Sequence, residues 1–385
     1  MRLGPLKIFR NDKGKLTPWN PLVESREQGA GSREFPAPRS PLPAHGCPLS
    51  RLSGWWNGVA TGDFDGDGRL DIVASNWGQN TRYENFRSQP LAIYYGDLVG
   101  NGTIQTVEAY FDAAKRNWMP LQPFHLIGAA MPTIRERLGT YESYARSTLD
   151  QIYRQELKNA KQLEANWLES TVFLNRGDHF EARMLPVEAQ MAPAFAVCAA
   201  DLDGDGNEDL FLSQNFFAVP AETSRYDGGR GLWLRGDGKG AFRAVRGQES
   251  GVKVYGEQRG AALCDYDADG RLDLAVTQNG SATKLYHNVI AKPGLRVRLV
   301  GPVGNPSGVG ASIRLEFGQR TGPVREAHAG NGYWSQDSAV QVLGIPQPPT
   351  QILVRWPGGK TTTTAIPAGA KEISLAINGE LKVLR

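Results

Sequence analysis

The sequence predicts an all-β fold: a partial β-propeller with a helical insertion, followed by a separate β-sandwich-like domain. Three observations predict it. One strand, acidic loop, strand unit recurs along the chain, turn residues are abundant, and near residue 290 the acidic units give way to a different alternating pattern. Glycine is 45 of 385 residues, about 12% against a usual ~7%, which favours short strands and tight turns over long helices.

The repeat is explicit. Residues 58–78 read GVATGDFDGDGRLDIVASNWG, residues 196–216 AVCAADLDGDGNEDLFLSQNF, and residues 260–280 GAALCDYDADGRLDLAVTQNG. Each has a short apolar run, aspartates at relative positions 1, 3, 5 and 9, and a second apolar run ending in Ser or Thr plus Asn or Gln. A fourth copy, YYGDLVGNGTIQ, keeps Asp97 and Asn101 but has Val99 and Gln105 in place of the other two carboxylates. Strand pairs around turn signals at 6–18, 172–185 and 231–245 read as outer hairpins of the same unit. Four short antiparallel strands per unit, repeated with Gly-rich turns, predict propeller blades.

The domain boundaries follow from these patterns. Residues 1–23 are expected to be the outer hairpin of a preceding blade, 24–53 a Pro/Gly-rich loop, and 54–290 about four to five blades. Leu149, Ile152, Tyr153, Leu157, Ala160, Leu163 and Trp167 recur at helical spacing behind a Thr140 N-cap, predicting a helical insertion over about 140–168. Residues 291–385 form the second domain, with alternating runs at Leu295, Val297 and Leu299, at Ile313, Leu315 and Phe317, and at Ile352, Val354 and Trp356.

Four aspartates at this spacing reach one centre only if the loop curls tightly, which its glycines permit. The expected ligand sets are Asp63, Asp65, Asp67 and Asp71; Asp201, Asp203, Asp205 and Asp209; and Asp265, Asp267, Asp269 and Asp273. The position-7 carbonyls of Arg69, Asn207 and Arg271 are expected to contribute. An all-oxygen, carboxylate-rich set with flexible geometry suits calcium rather than magnesium or zinc. An EF-hand would need a carboxylate at position 12, where Ala74, Leu212 and Val276 stand instead, so these are β-hairpin loops. A metal on such a hairpin is expected to hold its blade together.

Other chemistry is not signalled. The formal charge is +3 with scattered Lys and Arg, which implies no nucleic-acid partner, and the longest apolar run, Ala192–Ala200, implies no membrane span. The five histidines are widely separated, no GxSxG elbow occurs, and Val354 stands where a P-loop needs its first glycine. Glu142, Glu222, Asp227 and Glu257 remain as acids outside the loops with no visible pairing, and the protein is expected not to be an enzyme. Tyr333, Trp334 and Gln336 offer either a sugar- or peptide-binding surface or a turn packed between domains.

DFDGDGRLD, DLDGDGNED and DYDADGRLD resemble the FG-GAP or VCBS repeats of integrin-alpha-like propellers. GVGASIRLEF, VREAHAGNGYWSQDS and ILVRWPGGKT resemble the ASPIC/UnbV domain of cartilage acidic protein-like proteins, and TYESYARSTLDQIY resembles the helical insertion of bacterial members. The resemblance implies a non-catalytic calcium-binding protein, secreted or periplasmic, that acts in adhesion or recognition of a protein or glycan ligand of the matrix or cell surface. A propeller-based glycan hydrolase or lyase and a lectin-like binder are the alternatives. Integrin-like propellers have seven blades and an export signal; neither is visible here, which suggests that the chain is amino-truncated.

Overall fold

The computed structural model describes residues 3–12, 14–25, 46–86, 90–158 and 160–385. The fold is all-β. Two compact units are distinguished: unit 1 comprises residues 1–20, 48–55 and 82–168, and unit 2 residues 21–47, 56–81 and 169–385.

Unit 2 contains three blade sheets. The first runs through Gly58–Gly62, Asp71–Ser75, Thr171–Asn175 and His179–Met184, all antiparallel, with Leu22–Ser25 added in parallel at its edge. The second has four antiparallel strands, Ala194–Ala200, Asp209–Gln214, Leu232–Gly236 and Phe242–Val245. The third has Glu257–Cys264, Asp273–Asn279 and Ser281–Tyr286. Successive strand residues face opposite ways, so the middle blade is buried on both sides. Val197, Leu210 and Leu212 pack with Val73, Val172 and Leu174 of the first blade. Ala196, Cys198 and Phe211 pack with Ala261, Leu263 and Val276 of the third.

The hydroxyls that end the first two repeats bolt the blades together. Ser75 Oγ accepts the Gly58 N–H at 2.9 Å and donates to the Phe195 carbonyl of the second blade at 2.6 Å. Ser213 Oγ accepts the Ala196 N–H at 2.8 Å and donates to the Arg259 carbonyl of the third. Thr277 accepts the Gly260 N–H in the same way but donates back to the carbonyl of Gly260 itself.

From Leu295 onward two sheets face each other. One orders Gln341–Leu343, Leu295–Val300, Glu372–Ala376 and Leu381–Val383; the other is built on Ser312–Phe317, Gln351–Arg355 and Thr361–Ala365. Between them lie Val297, Ile313, Val354, Ile373 and Trp356, whose indole N–H donates to Thr362 Oγ1 at 2.9 Å. A loop of this domain reaches the first strand of every blade. Gly332 N–H donates to the Val59 carbonyl at 3.2 Å, Ala261 N–H to Ser335 Oγ at 3.1 Å, and Leu263 N–H to Asp337 Oδ1 at 2.7 Å.

Unit 1 is described by itself. The degenerate fourth copy forms a hairpin of a four-stranded sheet, Asn117–Pro120, Gln105–Asp112, Leu91–Gly96 and Lys161–Ala165. Ile8–Asp12 and Lys15–Trp19 form the hairpin expected near the start of the chain, as a two-stranded sheet. The helix expected over 140–168 is only Tyr141–Arg146 and Leu149–Tyr153, preceded by Phe124–Ala130 and Pro132–Leu138. Thr140 does cap, accepting the Ser143 N–H at 3.1 Å, but Thr148 with Gln151 forms a second capping box, and Arg154 at φ +44° ends the run. Leu163 then stands on a strand. In the expected loop over 24–53, residues 26–45 lie outside the described residues, while Glu24 and Ser25 belong to a strand.

Gly332 has φ +53°, and a Cβ there would lie 2.7 Å from both N and O of Val197. Gly332→Ala is therefore expected to lower stability by about 2 kcal/mol, read as a lower thermal midpoint. Gly330→Ala, with its nearest neighbour at 3.9 Å, leaves the midpoint unchanged.

Candidate metal centres

The three acidic loops share one construction. Position 9 is a staple. Asp71 Oδ2 accepts the Phe64 N–H at 2.9 Å and Oδ1 the Asn175 N–H at 2.7 Å, tying the loop to the third strand of its blade. Asp209 does the same with Leu202 at 3.1 Å and Gly236 at 2.8 Å, and Asp273 with Tyr266 at 3.1 Å and Asn288 at 2.8 Å. Position 1 curls the loop: Asp63 accepts Gly68 N–H, Asp201 those of Gly204 and Gly206, and Asp265 those of Asp269 and Gly270.

Positions 1, 3 and 9 converge. Asp63, Asp65 and Asp71 each place one carboxylate oxygen within 4.8 Å of the others, as do Asp201, Asp203 and Asp209, and Asp265, Asp267 and Asp273. Position 5 stands outside these three groups, although in the third loop Asp269 lies with Asp267 and His287 within the same distance. Asp67, Asp205 and Asp269 close a local turn, accepting the N–H of Arg69, Asn207 and Arg271 at 2.8, 2.9 and 2.8 Å. A side-chain acceptor two residues before its donor mimics a backbone turn, and this occupies one of the two carboxylate oxygens. At position 7, Arg69 and Arg271 brace the loop by donating Nε–H to the carbonyls of Asn175 and Ala291 at 2.8 and 2.7 Å.

The electrostatics ask for positive charge. Burial pushes Asp71 and Asp201 up to about 7 and Asp209 up to about 8, and it also raises Asp63, Asp203 and Asp273. Desolvation disfavours the ionised form unless a cation compensates. Buried oxygens Asp63 Oδ1 and Asp65 Oδ1 have no hydrogen-bond partner, a cost that an ion ligated by them would remove. These residues fit calcium. The degenerate loop is the contrast: exposed Asp97 accepts the Asn101 and Gly102 N–H at 2.9 and 2.8 Å, and these backbone bonds hold it below the usual range.

Sequence reasoning missed the cations that face the loops. Arg176 meets Asp65 at 2.5 Å, Arg235 meets Asp203 at 2.7 Å, His287 meets Asp267 at 3.0 Å, and Arg296 pairs with Asp265. They come from other strands and turns, so no local spacing announces them. The C-terminal domain also lies against the loop end of the blades. Val324 N–H donates to Asp63 Oδ2 at 3.0 Å, Arg325 pairs with buried Glu208 at 2.7 Å, and a Cβ on Gly344 would overlap the Asp201 carboxylate.

Tyr333 and Trp334 are tilted neighbours, with ring centroids 6.4 Å apart. Tyr333 packs edge-on against Phe195 at 5.3 Å, whereas Trp334 is 93% exposed at φ +52° and Gln336 is exposed. Among the acids outside the loops, Glu257 is fully engaged by the Phe217 N–H, Arg259 and Asn279, and Glu142 pairs with Arg146 on an exposed helix.

A model of the FG-GAP repeat matches residues 55–82, and a model described as ASPIC and UnbV matches residues 301–380. Segments of the chain are thus similar to an FG-GAP repeat and to an ASPIC/UnbV domain. Integrin alpha-4 of Xenopus laevis is 34% identical over 155 residues, 38% of this chain and 14% of that protein. Cartilage acidic protein 1 of Xenopus tropicalis is 23% identical over 207 residues, 51% of this chain and 31% of that protein. The chain thus spans a minor part of both relatives. Among solved structures, the exotype rhamnogalacturonan lyase YesX gives a TM-score of 0.21 at 11% identity over 93% of this chain and 62% of that one. A likeness at that level carries no argument. Among the described residues no helix is long and apolar enough to cross a membrane.

Removing the staple of an FG-GAP loop strands two buried backbone donors, each worth roughly 1 to 3 kcal/mol. Asp71→Ala is expected to cost at least about 2 kcal/mol in urea denaturation. Asp67→Ala, which frees only exposed groups of the same loop, is expected to cost less than about 1 kcal/mol.

Proposed function

We propose that this chain is a non-catalytic, calcium-binding recognition or adhesion scaffold that works outside the cytoplasm. The observation that carries the metal reading is the pair of orphaned, buried oxygens on Asp63 and Asp65, set beside Asp71 in the first loop. All-oxygen donor sets of this kind suit calcium. Positions 1, 3 and 9 would hold the ion, and what the ion supplies is positive charge. It offsets the desolvation of the carboxylates and fixes the turn between the first two strands of a blade.

Location follows from affinity. Calcium modules outside the cell bind at roughly 10⁻⁴ to 10⁻³ M, concentrations at which cytosolic sites would stand empty. The names of the matched relatives, an integrin subunit and a cartilage acidic protein, support an extracytoplasmic place and a role in recognition. The partner is a protein or glycan of a matrix or cell surface. Trp334 is the side chain best placed to meet it, because a bulky residue held exposed in the left-handed region is a strain that packing does not explain. The engagement of Glu257 and Glu142 by arginines supports a non-catalytic role.

At free calcium tenfold above the dissociation constant, each occupied loop adds about 1.4 kcal/mol. EGTA is therefore expected to lower the thermal midpoint by several degrees, with excess calcium restoring it and equal magnesium restoring less. A midpoint that ignores both chelator and calcium would remove the metal from this reading.

A further inference from the structure

The three acidic loops look alike in sequence but differ in how their deepest carboxylate, at position 1, is met. In the first loop, Asp63 is 1% exposed and Oδ1 has no partner. The nearby Arg176 is engaged at position 3 and with Glu181, so it leaves Asp63 open. In the second loop, Asp201 is met by backbone N–H groups, while Arg235 holds positions 3 and 5 at 2.7 and 2.9 Å. The side chain of Arg235 is 40% exposed and can turn into solvent.

The third loop is different in kind. Arg296, on the first strand of the C-terminal domain, donates from Nη1 to both the carboxylate and the carbonyl of Asp265. Both side chains are almost wholly buried. Arg296 cannot swing away, because its Nε–H donates at 3.0 Å to Glu372, which Arg298 also holds, at 2.5 Å. A guanidinium is always charged and its planar fork matches a carboxylate. Removing one partner of such a buried pair leaves an uncompensated charge.

We propose that Arg296 of the C-terminal domain takes the place of the metal ion at the third acidic loop, so that only the first two loops bind calcium. This rests on the calcium reading of the loops and divides them by function. In the first two, an exchangeable ion supplies the positive charge. In the third, a fixed side chain of the neighbouring domain supplies it, and the blade and that domain are joined independently of calcium.

Calorimetric titration of the full chain with calcium chloride, after chelator treatment, tests this. The expected stoichiometry is two ions per chain. Asp63→Asn and Asp201→Asn each lower it to one, Asp265→Asn leaves it at two, and Arg296→Met raises it to three. Circular dichroism checks folding, and if Arg296→Met fails to fold, the Asp265→Asn arm still decides. Three ions bound by the unaltered chain, a loss on Asp265→Asn, or no gain in a folded Arg296→Met would overturn the proposal and leave calcium binding standing. No uptake by any form would overturn the calcium reading as well.

Discussion

Buried negative charge at the turn of each blade is the constraint on which the rest depends. A carboxylate at position 9 has both oxygens committed to backbone donors, one in its own loop and one on or just past the next strand. That commitment fixes the strand order locally, but it carries the group out of water and draws positions 1 and 3 in beside it. Positive charge beside the loop then favours the ionised form. Arginines from other strands and, in our reading, calcium are two ways of delivering it.

The remaining forces are distributed around that need. Alternating apolar residues join one blade to the next, and Ser75 and Ser213 add a hydrogen bond across each junction. The C-terminal domain then closes against the loop end through Val324, Arg325 and Arg296, and sends Gly332 and its neighbours to the first strands. The same end of the blades thus carries both the acidic loops and the domain contact. Changes in loop charge are felt at that contact.

Much of this was legible in the sequence because it is local. The position-12 residues Ala74, Leu212 and Val276 read as strand, and all three are fully buried. The terminal Ser or Thr of each repeat was visible as a pattern, though its bond to the next blade was not. What stayed hidden depends on distant partners or on competing turn chemistry. Arg296 lies 31 residues beyond Asp265, so no spacing links them. At position 5 the sequence does not reveal that one carboxylate oxygen also closes a turn. The helical period over 140–168 was real at Leu149 and Ile152, but it ran on by coincidence through Leu163, where a strand partner overrode it.

The first blade is split. Its inner hairpin ends at Ser75 and its third strand begins at Thr171, with most of unit 1 encoded between them. The middle blade, by contrast, is contiguous from Ala194 to Val245. During synthesis, strand Asp71–Ser75 emerges long before the partner that covers its edge, so its pairing has high contact order. The closure entropy of so long a segment grows only slowly with length, which leaves the finished blade little weaker for the interruption. The consequence is kinetic: an edge carrying Ile72 and Val73 waits on the nascent chain until Thr171–Asn175 arrives to pair with it.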